Sequence, residues 1–89
     1  MEEEELYRLK AFIDRSPTRR KIIELLYKEG EALRPTDIAS EIKVQRETVS
    51  RRITDLKEEE LVEIMNPEDN RNRYYRIAEK GKELWQEFS

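Results

Sequence analysis

The stretch from residue 34 to residue 62 constrains the fold most strongly, because its apolar side chains mark two short helices joined by a tight turn. Apolar residues recur there at helical spacing, first at Ile38, Ile42 and Val44, and then at Val49, Ile53 and Leu56. Each helix therefore has one buried stripe and one free face. Ala39 is small enough to let the two helices cross closely, as a helix-turn-helix requires.

The chain is small and lacks the residue types that most enzyme chemistry uses. Its 89 residues predict one domain, 1–89, near the lower size at which a single core suffices without metals or disulfides. It has no cysteine and no histidine, which excludes disulfides, thiolate or imidazole metal ligands and histidine acid–base catalysis. Two glycines are too few for a glycine-rich phosphate loop. We expect no enzyme, no catalytic residue, no metal and no cofactor.

The sequence also predicts a soluble, cytoplasmic protein with no membrane association. No apolar run approaches the roughly 18 residues that a membrane-spanning helix needs. The N-terminus, Met1 followed by four glutamates, is opposite in sign to the start of a signal peptide.

Charge is segregated along the chain. The net charge of −3 disfavours nucleic-acid binding when taken alone. Basic residues nevertheless predominate in residues 15–30, 45–57 and 70–78, whereas acidic residues predominate in 1–14 and 58–69. Each block alone is typical of a solvated face, but the coincidence of three basic blocks with three structural elements favours a binding surface. Charged residues are 44% of the chain, a proportion typical of thermophile proteins.

Local signals place helices on both sides of the central motif. Leu6, Leu9, Phe12 and Ile13 predict a helix over 3–13. A second helix over 17–29 has an N-cap at Ser16, proline at its first position and Gly30 as its stop. A last helix covers 79–88. Leu33 and Arg34 are too few for an independent strand, although they could pair with a later hairpin.

A β-hairpin follows the central motif. Residues 61–65 and 73–77 are short, β-branched or aromatic runs, and Asn66-Pro67-Glu68-Asp69 between them suits a type I turn. Tyr74 and Tyr75 alternate along the strand, so one should face the core and one the solvent. The predicted fold class is mainly α with a small hairpin, in the order helix, helix, short strand, helix, helix, hairpin, helix. This is the winged helix-turn-helix arrangement, with its recognition helix at about 45–58 and its wing at about 61–77.

Three stretches carry a family resemblance: Thr48-Val49-Ser50-Arg51 with Leu56, Asn66-Pro67-Glu68-Asp69-Asn70-Arg71, and Ile77-Ala78-Glu79-Lys80-Gly81-Lys82-Glu83-Leu84. Through them, residues 33–84 resemble the DNA-binding part of the MarR family of transcriptional regulators. The resemblance implies that the second helix of the motif enters the major groove and that the wing lies along the adjacent minor groove. It places Ser50 and Arg51 at the major groove and Arg71 at the wing tip, with Asp69 orienting that arginine.

Three positions depart from the family pattern. Lys43 stands in the turn where glycine is frequent, and Glu60 replaces the glycine that usually follows the recognition helix. A left-handed backbone at either residue would cost on the order of 1 kcal/mol. Ala78 replaces a capping threonine, which weakens the start of the last helix by roughly 1 kcal/mol. The chain also has no counterpart to the long terminal helices through which the family dimerises.

The residue types on the basic segments suggest two kinds of DNA contact. Base contacts are expected from the free face of the recognition helix, namely Gln45, Arg46, Ser50 and Arg51. Backbone contacts are expected from Thr18, Arg19, Arg20, Arg52, Arg71 and Arg73. Two simpler interpretations remain open: the start of the second helix as an ordinary N-cap with solvated bases, and the two wing arginines as solubilising loop residues.

Two apolar stripes at the ends of the chain predict an interface. They comprise Leu6, Leu9 and Phe12 at one end and Leu84, Trp85 and Phe88 at the other. Large aromatic residues on a short terminal helix are typical of interfaces, which favours a homodimer. A two-fold dimer would set two recognition helices about one DNA turn apart and predicts an inverted-repeat operator. The alternative is a monomer whose terminal helices fold inward.

The resulting functional prediction is a sequence-specific, double-stranded DNA-binding transcriptional regulator that acts as a repressor. The alternative is a winged-helix module that binds another protein of the transcription or replication machinery, which the acidic net charge keeps open. A small-molecule effector, the operator and the regulated genes are left undetermined by the sequence.

Overall fold

The computed structural model describes residues 1–88. Within them, five helices and a two-stranded antiparallel hairpin follow the predicted order. The elements are α1 (Glu3–Asp14), α2 (Pro17–Glu29), α3 (Pro35–Ile42), α4 (Arg46–Glu58), β1 (Val62–Ile64), β2 (Tyr75–Ile77) and α5 (Glu79–Gln86). The winged-helix fold class predicted from the sequence is confirmed.

Helix α2 begins and ends at the residues that the sequence signals indicated. The Ser16 hydroxyl oxygen accepts a hydrogen bond from the Arg19 backbone N–H at 3.2 Å, and Pro17 occupies the first helical position. Gly30 ends the helix in the left-handed conformation with φ 72°, where glycine carries no Cβ penalty.

The turn between α3 and α4 brings the two helices of the motif together. Ala39 is buried at their crossing, and its carbonyl accepts a hydrogen bond from the Val44 N–H at 3.1 Å. Lys43 adopts φ 58° in this turn, and Glu60 adopts φ 63° after α4, so both positions where glycine was expected are left-handed. The expected backbone strain is therefore present at two sites that flank the recognition helix α4.

The hairpin is shorter than predicted. β1 and β2 pair Val62 with Ile77 and Ile64 with Tyr75. The expected short strand before α3 consists of one bridging residue, Leu33, which exchanges two 2.8 Å backbone hydrogen bonds with Tyr75. Tyr75 is 6% exposed and Tyr74 is 39% exposed, which confirms the predicted alternation.

Helix α5 lies close against the segment between α4 and β1 because Gly81 has no side chain. A Cβ at Gly81 would overlap the Leu61 carbonyl oxygen and would approach Ile77 Cγ1 to 2.8 Å. The same carbonyl accepts a hydrogen bond from the Ala78 N–H at 2.9 Å. Ala78 provides no side-chain cap, as expected, and α5 ends at Gln86, two residues earlier than predicted.

One apolar cluster joins all five helices to the hairpin. Its fully buried members include Ile38 of α3, the predicted stripe of α4, Leu9 and Ile13 of α1 and Leu84 of α5. Ile42 and Val44, predicted with Ile38, are only partly buried. Within residues 1–88, no polar or charged residue is buried. No helix in this part of the chain is long and apolar enough to cross a membrane.

Candidate nucleic-acid interface

Helix α4 presents a polar outer face opposite its buried stripe. Gln45, at the N-cap, and Arg46, Ser50 and Arg51 are all exposed there. The Thr54 hydroxyl, one turn further along, donates to the Ser50 carbonyl at 2.9 Å. The four residues predicted to contact bases are therefore all accessible.

The wing loop is held by the side chain of Asn66, in addition to the predicted turn. The Asn66 Oδ1 accepts the Tyr74 N–H at 2.8 Å, and its Nδ2 donates to the Asn72 carbonyl at 2.6 Å. The Asp69 N–H donates to the Asn66 carbonyl at 3.0 Å, which closes the predicted turn. These bonds fix the loop although most of its residues are exposed.

Asp69 organises the wing tip through the backbone. Its Oδ1 accepts the N–H groups of Arg71 at 2.8 Å and Asn72 at 3.0 Å. The amide of Asn72, and next that of Arg71, lowers the pKa of the Asp69 carboxyl below its ordinary value. Asp69 therefore acts on Arg71, as the resemblance implies, and it does so through the Arg71 main chain.

Arg73 bends back over the same loop. Its Nε donates to the Asp69 carbonyl at 3.2 Å, and its Nη2 donates to Asn70 Oδ1 at 3.2 Å. Neither partner is a carboxylate, so the positive charge of Arg73 is not neutralised by these bonds.

The recognition helix and the wing face each other across a polar cleft of about 250 Å³. Its walls carry Arg46 and Ser50 from α4, Arg71 and Arg73 from the wing, and Arg34, Pro35 and Thr36 from the start of α3. The sequence placed α4 and the wing on one surface but did not assign Arg34 to it. The available signal was an arginine immediately before a helix-starting proline, with Asp37 three residues later.

Two residues predicted to contact the DNA backbone pair with the same carboxylate, that of Asp55, and Arg52 remains the more exposed of the two. The Arg19 side chain is 17% exposed and pairs with Asp55 Oδ2 at 3.1 Å. Its guanidinium also donates to the Phe12 carbonyl at 2.9 Å and lies over the Phe12 ring. Arg52 Nε lies 3.0 Å from the same Asp55 oxygen, without hydrogen-bonding alignment. The Arg19–Asp55 pair ties α2 to α4, whereas Arg52 and Asp55 lie on the same helix. We correct the assignment of Arg19 to a structural one.

Arg20 lies toward the terminal helices. Its guanidinium is 5.3 Å from the Trp85 ring centroid and 4.9 Å from that of Phe88, and it pairs with Asp14 at 3.2 Å. Thr18, beside it at the start of α2, is half-buried. The structure thus brings Arg46, Ser50, Arg71 and Arg73 together, and it does not bring Arg19 or Arg20 to them.

The residues predicted for a dimer interface divide into two groups. Leu9 and Leu84 are completely buried within the domain, so we correct their assignment: they have no surface to offer a second copy. Leu6, Phe12, Trp85 and Phe88 are only partly buried. The rings of Trp85 and Phe88 stack at 5.3 Å. The most exposed large apolar residue of the described chain is Tyr7 on α1, at 73%.

The sequence matches the family model described as winged helix-turn-helix DNA-binding over residues 15–63. This match spans more than half of the chain and covers α2, the helix-turn-helix and the start of β1. The chain belongs to this winged helix-turn-helix DNA-binding family. No curated protein sequence matches it.

Solved structures share the fold at low sequence identity. A Staphylococcus aureus MepR mutant bound to an oligodeoxyribonucleotide superposes with a TM-score of 0.75, at 22% identity, over 96% of this chain and 60% of that one. The transcriptional regulator Tm0710 of Thermotoga maritima gives 0.72, at 23% identity, over 92% and 58%. A Lactococcus lactis ZitR mutant gives 0.69, at 24% identity, over 82% and 49%.

These neighbours are MarR-family regulators, and the resemblance drawn from the sequence is supported at the level of the fold. The chain spans only about half to three fifths of the length of these three proteins.

Proposed function

We propose that this protein is a sequence-specific, double-stranded DNA-binding transcriptional regulator, and that it acts as a repressor in the cytoplasm. The observation that carries the proposal is the convergence of the recognition-helix face and the wing arginines on one surface. Membership of a DNA-binding winged-helix family and likeness to a DNA-bound regulator support it.

In this proposal α4 enters the major groove. Arg46 and Arg51 contact guanine edges, Gln45 contacts adenine, and Ser50 serves a base or a phosphate. Their exposure at the start of α4 supports the assignment. Arg71 at the wing tip enters the adjacent minor groove, and its backbone is held for that role by Asp69. Arg73 and Arg52 contact phosphates at the edges of the surface.

The proposal includes a homodimer formed through the outer sides of α1 and α5. The partly buried residues Leu6, Phe12, Trp85 and Phe88 border this surface, and Tyr7 projects from it. A repressor that blocks transcription by occupying an inverted repeat needs two recognition helices in fixed register, which a two-fold dimer supplies.

The test is fluorescence anisotropy of random duplex DNA across a salt series, beside sedimentation of the free protein. DNA binding predicts an affinity that falls steeply and log-linearly with salt, since each phosphate contact releases counterions. A flat response at low salt would remove the DNA-binding function and favour a protein partner. A monomer mass would remove the dimer and leave DNA binding standing.

A further inference from the structure

Arg34 is held rigidly at the start of α3, although it is a half-exposed surface residue. Its Nε donates to Asp37 Oδ2 at 3.1 Å and its Nη2 to Oδ1 at 3.3 Å, a two-point contact with one carboxylate. The guanidinium also lies 5.8 Å from the centroid of the Tyr74 ring, next to the wing. Two hydrogen bonds fix the planar guanidinium of Arg34, so its remaining N–H donors point in a set direction. Arg34 is therefore preorganised to bind a ligand.

The surroundings of Arg34 are cationic. Four arginines from three elements line the same cleft of about 250 Å³, namely Arg34, Arg46, Arg71 and Arg73. None of the cleft's lining residues in the described chain is a carboxylate, and the other polar groups are hydroxyls and amides such as Thr36, Ser50 and Asn70. Guanidinium, hydroxyl and amide donors are the groups that contact DNA phosphate oxygens. The cleft is therefore complementary to a small anion.

We propose that this cleft binds one phosphodiester group of the DNA strand that runs between the recognition helix and the wing, with Arg34 as an additional phosphate contact. The inference rests on the proposed function. Its geometric basis is that the cleft opens between α4 and the wing loop. If these elements occupy adjacent grooves, the strand that separates the grooves passes between them, and its phosphate meets Arg34, Arg46, Arg71 and Arg73 from both sides.

The test compares Arg34→Ala with Arg76→Ala in binding random duplex DNA across a salt series. Arg76 is the matched control, because it is also half-exposed and paired with a carboxylate, Glu63, at 2.8 Å, but it does not line the cleft. Arg34→Ala should flatten the slope of log K against log salt by about one unit and weaken binding roughly tenfold at low salt. Arg76→Ala should leave both nearly unchanged. Arg34→Lys retains the charge and should restore the slope.

Two results would overturn the inference while leaving the proposed function in place. One is an equal slope for Arg34→Ala, Arg76→Ala and the unmodified protein, all of them binding DNA. The other comes from competition at matched ionic strength: if inorganic phosphate binds the unmodified protein but not Arg34→Ala, and yet displaces DNA no better than chloride does, then the cleft holds a free anion and not a DNA phosphate. Absence of salt-dependent binding by the unmodified protein would instead overturn the proposed function itself.

Discussion

Arginines on two sides of this domain differ in what they touch. On the helical side, Arg8 of α1 pairs with Glu59 at 2.9 Å and with Glu5 at 3.2 Å, which raises the pKa of the Arg8 guanidinium. Lys80 of α5 joins the same group through Glu5 at 3.1 Å. On the side formed by α4 and the wing, Arg46, Arg51 and Arg71 have no carboxylate partner among the described residues.

The difference explains how a chain with net charge −3 can present a cationic surface. The helical side uses its charges to connect α1, α4 and α5, so they neutralise one another within the protein. The α4–wing side keeps its arginines available to an external anion, whose long-range attraction depends on local charge rather than on the total. Pairs that connect the helices should therefore affect folding, and the unpaired Arg46, Arg51 and Arg71 should affect binding. Arg34 is the exception, because it is paired with Asp37 and yet lines the cleft.

The largest expected effect is on binding, at Arg51. Arg51→Ala should weaken binding to a selected operator by about 1–3 kcal/mol and relax preference at one base position, because a bidentate guanine contact is lost. The free energy of unfolding should change by less than about 0.5 kcal/mol, since the side chain is exposed. Selection of bound duplexes from a random pool, with urea melts in parallel, measures both. Unchanged site preference would show that the recognition face is wrongly assigned.

Substitution of Arg19 should change stability and leave DNA binding nearly unchanged, in contrast to substitution of Arg51. Arg19→Ala removes a largely buried ion pair with Asp55 and a hydrogen bond to the Phe12 carbonyl, and should lower the free energy of unfolding by about 1–2 kcal/mol. Arg15→Ala, four residues earlier and exposed, is the control and should be neutral. Urea denaturation measures the effect. The folded fraction should keep its DNA affinity. A loss of DNA binding with unchanged stability would instead show that Arg19 contacts DNA.

The two left-handed residues that flank α4 offer a gain in stability. Lys43→Gly and Glu60→Gly should each raise the free energy of unfolding by about 1 kcal/mol, because glycine adopts positive φ without the Cβ penalty. Glu24→Gly, in the exposed middle of α2, is the control and should lower it by a similar amount. Thermal melts show whether each substitution raises or lowers the stability of the protein. Destabilisation by both flanking substitutions would mean that these side chains make compensating contacts.

The smallest expected effect is a loosening of the wing tip in acid. The folded pKa of Asp69 is lowered by the amides of Asn72 and Arg71, so its contribution to the turn is present above the ordinary value of 3.8 and is lost as the pH falls below it. Hydrogen exchange of those two amides, corrected for intrinsic rates, should therefore quicken only in that acid range. Asp69→Ala should show the faster exchange already at neutral pH, with core amides unaffected.

The sequence predicted the backbone of this fold well, because its signals are local. The Ser16 cap, Gly30, the apolar spacing of α4 and the strained residue Lys43 are each set by neighbouring residues, and each is found in the structure. The extent of the hairpin was overestimated, since strand pairing depends on partners distant in sequence.

Side-chain partnerships were harder to predict. Arg19 and Arg46 look alike in a sequence, yet one meets Asp55, 36 residues away, and the other faces the cleft. Gly81 likewise gave no sign that the Leu61 carbonyl would lie against it. Ion pairs between α1, α2, α4 and α5 decide which charged side chains remain unpaired. These pairs depend on tertiary packing, which the spacing of residues in the sequence does not reveal.

The most direct measurement of the difference between the two sides is amide chemical-shift mapping of the isotope-labelled protein during titration with duplex DNA. The largest shifts should fall on residues 45–51 and 69–73 and on Arg34, while the outer face of α1 and the whole of α5 stay nearly unchanged. Shifts concentrated on α1 and α5, or none at concentrations where the salt-dependent binding is saturated, would contradict the assignment of the α4–wing side as the surface that binds DNA.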